Sequence, residues 1–479
     1  MTYDVAVIGA GVIGCMIARE LSMYDVSVCV LEAAADVAAG TSRANSGIVH
    51  AGYDAEPGSL KAIMNVAGCG MMSSVAEELG VPYKNCGSLV VAFGGEEEKS
   101  LEKLALRGAK NGVKADIISS AQARQIEHSL SGDITSALYA PAAGIICTWT
   151  LTIAAAENAA GNGAEFFFGR RVTEISRKDG IYAITAGGET FAARRIINAA
   201  GVHADEISAM AGGETFGLRA RKGEYIVFDT AMEAKTDIVI FGTPSDRGKG
   251  VLAAPTVHGN MLAGPTSVFV DDKEDKSTTA QGLSEVFEGA RKYVPGFDKR
   301  YAIAVFAGLR AVPECHDFII ERSKKAPGLI NVAGIESPGL TSAPAIAKHV
   351  VDELLFQNSP PADKQNATRI RKRIEAFADA SPQRKQELID KDPRYANVVC
   401  RCRHVTEAEV VESIRRPCGA TTVDGVKFRT GAGMGRCHGG FCMPRIMRIL
   451  SRELGRDMVS ITKDGEGSYI LTGRTKEDK

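Results

Sequence analysis

Four cysteines near one end of the chain carry a type and spacing from which chemistry can be read. Cys400-Arg401-Cys402 is followed, after 34 intervening residues, by Cys437-His438-Gly439-Gly440-Phe441-Cys442. Thiolates are soft ligands, and four of them in two close pairs make a metal site. Structural zinc favours two CxxC pairs, from which a CxC joined to a Cx₄C departs. The glycines beside Cys437 leave room for sulfide and let backbone N–H groups bond it, so the pattern points to an iron–sulfur centre. Cys418 falls outside both pairs. Cys15, Cys29, Cys69, Cys86, Cys147 and Cys315 are scattered among apolar residues and read as buried free thiols.

A second chemistry lies near the other end, in Gly9-Ala10-Gly11-Val12-Ile13-Gly14. Gly9 permits a tight turn, Gly11 lets backbone approach a pyrophosphate, and Gly14 lets a helix pack against a sheet. A helix beginning there offers unpaired N–H groups and a positive dipole end to phosphates. Glu32 stands where a carboxylate accepts from a ribose hydroxyl pair. The stretch Thr41-Ser42-Arg43-Ala44-Asn45-Ser46-Gly47-Ile48-Val49-His50-Ala51-Gly52 is polar and glycine-bearing, fit to thread along a pyrophosphate toward a flavin ring. Two later turns repeat the theme, Ala200-Gly201-Val202-His203 and Gly334-Ile335-Glu336-Ser337-Pro338-Gly339-Leu340-Thr341.

These residues need a scaffold, and the apolar pattern supplies one. Tyr3–Ile8 predicts a buried strand, Val12 to about Met23 a helix, and Val26–Leu31 a second strand ending at Glu32. Further strands are expected at Arg194–Ala199 and Leu329–Val332, with a helix over Ala345–Phe356. Strand-like runs at Ser88–Phe93, Glu224–Phe228 and Val305–Leu309 fall in two intervening blocks, about 80–150 and 215–310. Past Ser359-Pro360-Pro361 the chain is charged and glycine-free to residue 395. That stretch reads as a helical linker, with helices at about Ala367–Ala378 and Gln383–Asp390.

Composition narrows the classes. The 479 residues predict two to four domains; 45% apolar and 24% charged residues are ordinary for a globular protein. A net charge of −1, one Trp and 6% aromatics argue against a nucleic-acid binder. No basic leader or spanning apolar run is present, so a cytoplasmic protein is expected.

The glycine segments together resemble the D-amino-acid-oxidase-like family of FAD-dependent dehydrogenases and oxidases. The run from Asn45 to Gly52, with Pro57-Gly58-Ser59-Leu60-Lys61-Ala62, is most similar to L-2-hydroxyglutarate oxidases. The run Thr430–Cys442 resembles the bacterioferritin-associated-ferredoxin-like 2Fe–2S domain, found behind the flavin domain in anaerobic glycerol-3-phosphate dehydrogenase large subunits and in some amine and imino-acid dehydrogenases. The implied class is α/β: a Rossmann-type FAD-binding domain with an inserted α+β substrate domain (together 1–358), a linker (359–395) and a small iron–sulfur domain (396–479).

The resemblance implies that FAD is held by Gly9, Gly11, Ile13, Gly14, Glu32, Thr41, Ser42, Ser46, Gly47, Val172, Ala200, Gly201, Gly339, Leu340 and Thr341. It implies a 2Fe–2S cluster on Cys400, Cys402, Cys437 and Cys442. Alcohol oxidation needs a base for the hydroxyl proton and, for an anionic substrate, a fixed cation. His50, Arg310, Lys222 and Tyr225 are the catalytic candidates, and Arg221, His258 and Thr266 are further candidates for substrate contact. The expected reaction is sn-glycerol 3-phosphate to dihydroxyacetone phosphate. Electrons would leave through the cluster to a flavoprotein subunit or a quinone, the latter reached at the membrane periphery. A 2-hydroxy acid such as L-2-hydroxyglutarate, an amine or imino acid, and a substrate-free electron-transfer subunit remain alternatives. From 396 to 479 there are 15 Lys plus Arg against 10 Asp plus Glu, a surplus that would offset thiolate charge or offer a docking face to an acidic partner.

Overall fold

The computed structural model describes residues 1–244 and 250–475. Its first layer is an eight-stranded sheet. The strand Thr2–Ile8 lies between Val28–Leu31 and Glu189–Asn198, parallel to both, and Leu329–Ala333 extends the parallel set beyond Asn198. Outside Asp4 and Asn331, the strands Thr2–Ile8, Val28–Leu31 and Leu329–Ala333 are mostly apolar and rich in β-branched residues, as burial on both faces demands. The helix Val12–Leu21 is buried throughout, packed against the helices Thr148–Gly161 and Gly339–His349. Its sequence is accordingly apolar all round until Arg19 and Glu20.

A nine-stranded sheet forms the other half. Ser88–Ala92 and Ser136–Ala140 come from the first intervening block, and Leu218–Phe228 and Ala302–Pro313 from the second. Val239–Gly242 pairs parallel with Ser88–Ala92, so both blocks share a single sheet. The two long strands, Leu218–Phe228 and Ala302–Pro313, run antiparallel with Arg221 opposite Arg310 and Tyr225 opposite Phe306. They are twice the length that apolar runs alone suggested, because each carries charged and small residues that face the space between the sheets.

Two expectations are corrected. The helix after Leu329–Ala333 begins at Gly339, six residues early, with Pro344 inside it; beyond His349 it widens into a π segment, Val350–Leu355. Residues 367–376 are not helical, although Pro382–Lys391 is. The chain there is an extended strap over the helices Val12–Leu21 and Thr148–Gly161. Arg369 forks onto Glu20 (2.7 and 2.8 Å), Arg371 reaches Glu157 at 2.6 Å, and Asn158 and Asn162 both donate to the Thr368 carbonyl. A helix would turn half of those side chains away from their partners.

The last domain has its own core. The hairpin Val398–Cys400/Val405–Thr406 packs with helices Glu407–Arg415, Val423–Thr430 and Met443–Leu454 around Val410, Val426, Ile446 and Leu450. It is fastened to the first domain by ion pairs, of which those of Arg429 are the most buried. Arg429 forks onto Asp36 at 2.6 and 2.8 Å, Arg416 meets Glu157 at 2.8 Å, and Arg43 forks onto Asp464.

Candidate active site and thiol centre

One cavity of about 1990 Å³ runs from the glycine turn of the first domain, between the two large sheets, to the edge of the cysteine domain. That exceeds a single small-molecule pocket and suits a dinucleotide plus substrate. At its inner end Gly9 has φ +102°, and a Cβ there would stand 2.5 Å from the Ala199 carbonyl oxygen. A Cβ on Gly14 would fall 2.0 Å from the Gly9 oxygen, so this glycine serves helix–strand packing and stays off the cavity wall. Ser42 Oγ accepts from Val12 N at 2.8 Å, and helix geometry leaves the Ile13 amide without an intrahelical acceptor. Glu32 accepts from Ala10 N (2.6 Å) and Ala34 N (2.8 Å); burial raises its pKa against the pull of those amides. Gly11, Ile13, Glu32, Thr41, Ser42, Ser46, Gly47, Val172, Ala200, Gly201, Gly339 and Leu340 all line this space. The cradle fits FAD: a glycine turn no Cβ could enter, a helix end, a ribose-facing carboxylate and an elongated bed.

The 41–47 segment lies close against the substrate sheet. Thr41 Oγ1 donates to the Leu309 carbonyl, and a Cβ on Gly308 would come within 1.9 Å of the Ala44 oxygen. Thr341 departs from expectation. It is fully buried behind the wall, its hydroxyl accepting from His50 N at 2.9 Å and donating to the Ile48 carbonyl at 3.3 Å. It fixes the flavin-facing strand without lining the cavity.

Beyond the flavin bed, His50 stacks on Phe241 at 5.8 Å, its Nε2 3.5 Å from Ser337 Oγ. Arg310 is held by carbonyls, donating to Thr266 O at 2.7 Å, and burial draws its pKa down while leaving it cationic. Arg221 and Lys61 both pair with Glu336, the latter at 2.8 Å. The Nε of Arg221 is buried without a hydrogen-bond partner. Tyr225 stacks on Phe306 at 4.7 Å, and burial raises its phenol pKa. His50, Arg221, Tyr225, Thr266 and Arg310 therefore converge.

Lys222 does not. It points through the opposite face of its strand to Asp275 at 2.7 Å, since adjacent strand residues alternate sides. His258 lies in the turn after Leu252–Pro255, lining the cavity farther out; burial, then Arg403, lowers its pKa. Lys61, Phe241, Glu336 and Ser337 were missed as site residues. Lys61 and Glu336 are 275 residues apart and only the fold joins them.

The four cysteines form two pairs. Cys402 Sγ lies 3.7 Å from Cys437 Sγ, and Cys400 touches Cys442 in the domain core. Among the described residues no three ligating side chains converge on one point. The two thiol pairs suit a dinuclear cluster, in which each iron takes two thiolates. The Phe441 N–H, the Cys402 thiol, and the Gly439 and Gly440 amides draw the Cys437 pKa down. Burial and the neighbouring Cys400 push Cys442 up to about 11. Cys418 stays apart, 3.9 Å from the Ala156 carbonyl.

Comparison with known proteins agrees with this architecture. Residues 4–353 match the model of the FAD dependent oxidoreductase family, and residues 398–452 match that of the BFD-like [2Fe-2S] binding domain. The chain belongs to that FAD-dependent oxidoreductase family and carries a 2Fe–2S domain behind it. It is 47% identical to a glycerol 3-phosphate dehydrogenase of Caloramator mitchellensis, over 99% of both chains. Its first three quarters superpose on the dithionite-reduced, FAD-bound L-alpha-glycerophosphate oxidase of Mycoplasma pneumoniae with a TM-score of 0.74 and 31% identity, covering 78% of this chain and 98% of the other. A mitochondrial L-2-hydroxyglutarate dehydrogenase of Arabidopsis thaliana is 27% identical over 74% of this chain and 83% of its own.

Proposed function

We propose that the protein is an FAD-dependent dehydrogenase that oxidises sn-glycerol 3-phosphate to dihydroxyacetone phosphate. The full-length likeness to a glycerol 3-phosphate dehydrogenase carries this reading, and the charge of the site supports it. Arg221, Lys61 and Arg310 gather at one wall against the single carboxylate of Glu336. Surplus cations at one place suit one compact phosphate, close to a dianion at neutral pH. They suit less well the two separated carboxylates of a 2-hydroxyglutarate.

Arg310 and Arg221 bind the phosphate, with Arg310 pre-oriented by its carbonyl partners. His50, held by Phe241 and the Thr341 hydroxyl, takes the hydroxyl proton at its imidazole. Tyr225 and Phe241 exclude water from the reacting carbon. FAD held by the Gly9–Gly14 turn and Glu32 would supply the hydride acceptor, and a 2Fe–2S cluster on Cys400, Cys402, Cys437 and Cys442 would supply one-electron carriage.

The onward partner is proposed to be an acidic electron-accepting protein. Phe441 is 78% exposed between two cluster ligands, and Arg401, Arg436, Arg445 and Arg448, close to the ligands in sequence, are exposed as well. No acidic residue occurs from Val398 to Val405 or from Gly431 to Arg448. No helix among the described residues is long and apolar enough to cross a membrane. A cytoplasmic enzyme, meeting a membrane only through its partner, accords with this.

Anaerobic dye reduction with glycerol 3-phosphate, L-2-hydroxyglutarate and L-proline tests the reading. Turnover only with the phosphate is expected, and His50→Ala should slow its chemical step by about 10²–10⁴-fold. Flavin reduction by proline, undiminished in His50→Ala, would favour an amine dehydrogenase instead.

A further inference from the structure

Between the flavin bed and the thiol loops, three aromatic rings from distant parts of the chain lie against one another. Trp149, the sole tryptophan, sits in the first turn of Thr148–Gly161, directly behind the flavin-facing segment. A Cβ on Gly47 would meet the Ile146 oxygen at 2.7 Å and Thr148 Cγ2 at 3.4 Å, so the two stretches touch. The indole lies nearly parallel to the His258 ring, 6.0 Å away at 16°. Its other neighbour is Phe428 at 5.6 Å and 56°, across the domain boundary.

Phe428 belongs to the helix Val423–Thr430, from which the chain passes through Gly431 and Gly433 into Cys437. Arg403, the residue after Cys402, comes near enough to His258 to act on its charge. The same cavity wall carries Ser46 and Gly47, the three rings, and Arg403, Gly433, Met434 and His438. The strongest other links between the domains are ion pairs; this one is a run of neighbouring π systems. Burial keeps His258 neutral, which spares the stack a charge beside Arg403.

We infer that Trp149, flanked by His258 and Phe428, is the conduit by which electrons cross from the flavin site to the cluster. The inference rests on the cofactors of the proposed function. Each substrate leaves two electrons on FAD, and the cluster, whose oxidised form takes one, must be filled twice and emptied twice per turnover. Both emptyings go to a one-electron acceptor in solution, ferricyanide in the test. The rings gain and lose no proton, and no bond to them forms or breaks. They provide electronic coupling through a gap that saturated side chains would bridge poorly.

The test uses holoenzyme carrying Trp149→Leu, Trp149→Phe or Phe428→Leu, checked for flavin, iron and sulfide content. Stopped-flow absorbance separates flavin bleaching from cluster bleaching, with ferricyanide added afterwards to count delivered electrons. Trp149→Leu is expected to slow cluster reduction roughly tenfold while flavin reduction keeps its rate, and Trp149→Phe to retain most of the transfer. Phe428→Leu approaches the same gap from the other domain and should slow it as well. If no substrate reduces the flavin, photoreduction with EDTA starts the reaction, so failure of the substrate assignment leaves this test intact. A readout independent of turnover is the emission of the lone tryptophan in apoprotein, which Phe428→Leu should alter. Wild-type cluster reduction in a fully loaded Trp149→Leu enzyme would overturn the inference. So would equal slowing by Leu and Phe, or emission indifferent to Phe428.

Discussion

Removing the Arg429 guanidinium should loosen the cysteine domain from the flavin domain. Arg429 is 1% exposed and forks onto Asp36, itself 11% exposed, while donating to the Cys418 carbonyl at 2.6 Å and lying 3.9 Å from Glu157. Breaking one side of such a buried pair costs about 3–5 kcal/mol, because the other charge stays buried without compensation. At about 1.4 kcal/mol per tenfold, Arg429→Met should raise the undocked population by roughly two to three and a half orders of magnitude. Phe428 on the same helix touches Trp149, so undocking moves a neighbour away from the only tryptophan. The assay is tryptophan emission against urea, with limited proteolysis of residues 359–395 in parallel. Arg429→Met should shift the emission transition to lower urea and expose the strap to cleavage. Asp36→Asn added to it should recover part of the loss, since it removes the orphaned charge. Emission and cleavage identical to the parent in Arg429→Met would refute the claim that this pair holds the domains together.

Other outcomes follow from the same geometry. Arg310→Gln should lower kcat/KM for the phosphate substrate by ~30–1000-fold, equivalent to about 2–4 kcal/mol, as measured in steady-state dye reduction. Lys222→Met, on the opposite face of the strand, should leave KM near the parent value in the same assay. Gly308→Ala drives a methyl into the Ala44 carbonyl, and purified protein should carry markedly less flavin by absorbance. Burial alone would raise the Glu20 pKa, but the Arg369 fork overrides it and holds the carboxyl below its ordinary value. That stabilisation is present above about pH 4.3 and is lost as pH falls through the lower folded pKa. Tm should therefore fall more steeply between pH 5 and 3 in the parent than in Glu20→Gln, scanned by calorimetry.

Legibility of this protein tracked the distance over which its information is written. The glycine turn with Glu32, and the cysteine pairs, are local patterns whose spacing alone dictates a phosphate cradle and a thiolate centre. The substrate wall is not local. Arg221, Arg310, Lys61 and Glu336 come from four segments, and only the antiparallel register and the helix Leu60–Leu79 bring them together. Lys222 leaves the site through strand parity. It lies three residues from Tyr225, and on one strand such residues face opposite sides. The helix expected over Ala367–Ala378 rests on a charged, glycine-free stretch, whereas the carboxylates that hold the strap extended, Glu20 and Glu157, lie far away in sequence. Thr341 carries the right chemistry for a cofactor contact, yet its hydroxyl is engaged by the backbone of residues 48–50.

The parallel pairing of Val239–Gly242 with Ser88–Ala92 has a consequence for biosynthesis. Some ~150 residues separate the two strands, which is roughly 7–30 s of translation at 5–20 residues per second. Throughout that interval the nascent chain presents one unsatisfied edge of Ser88–Ala92, its other edge closing early against Ser136–Ala140. The substrate half can mature only after both strands have left the ribosome, so crowding or sudden cooling in that interval should favour pairing of this edge with another chain.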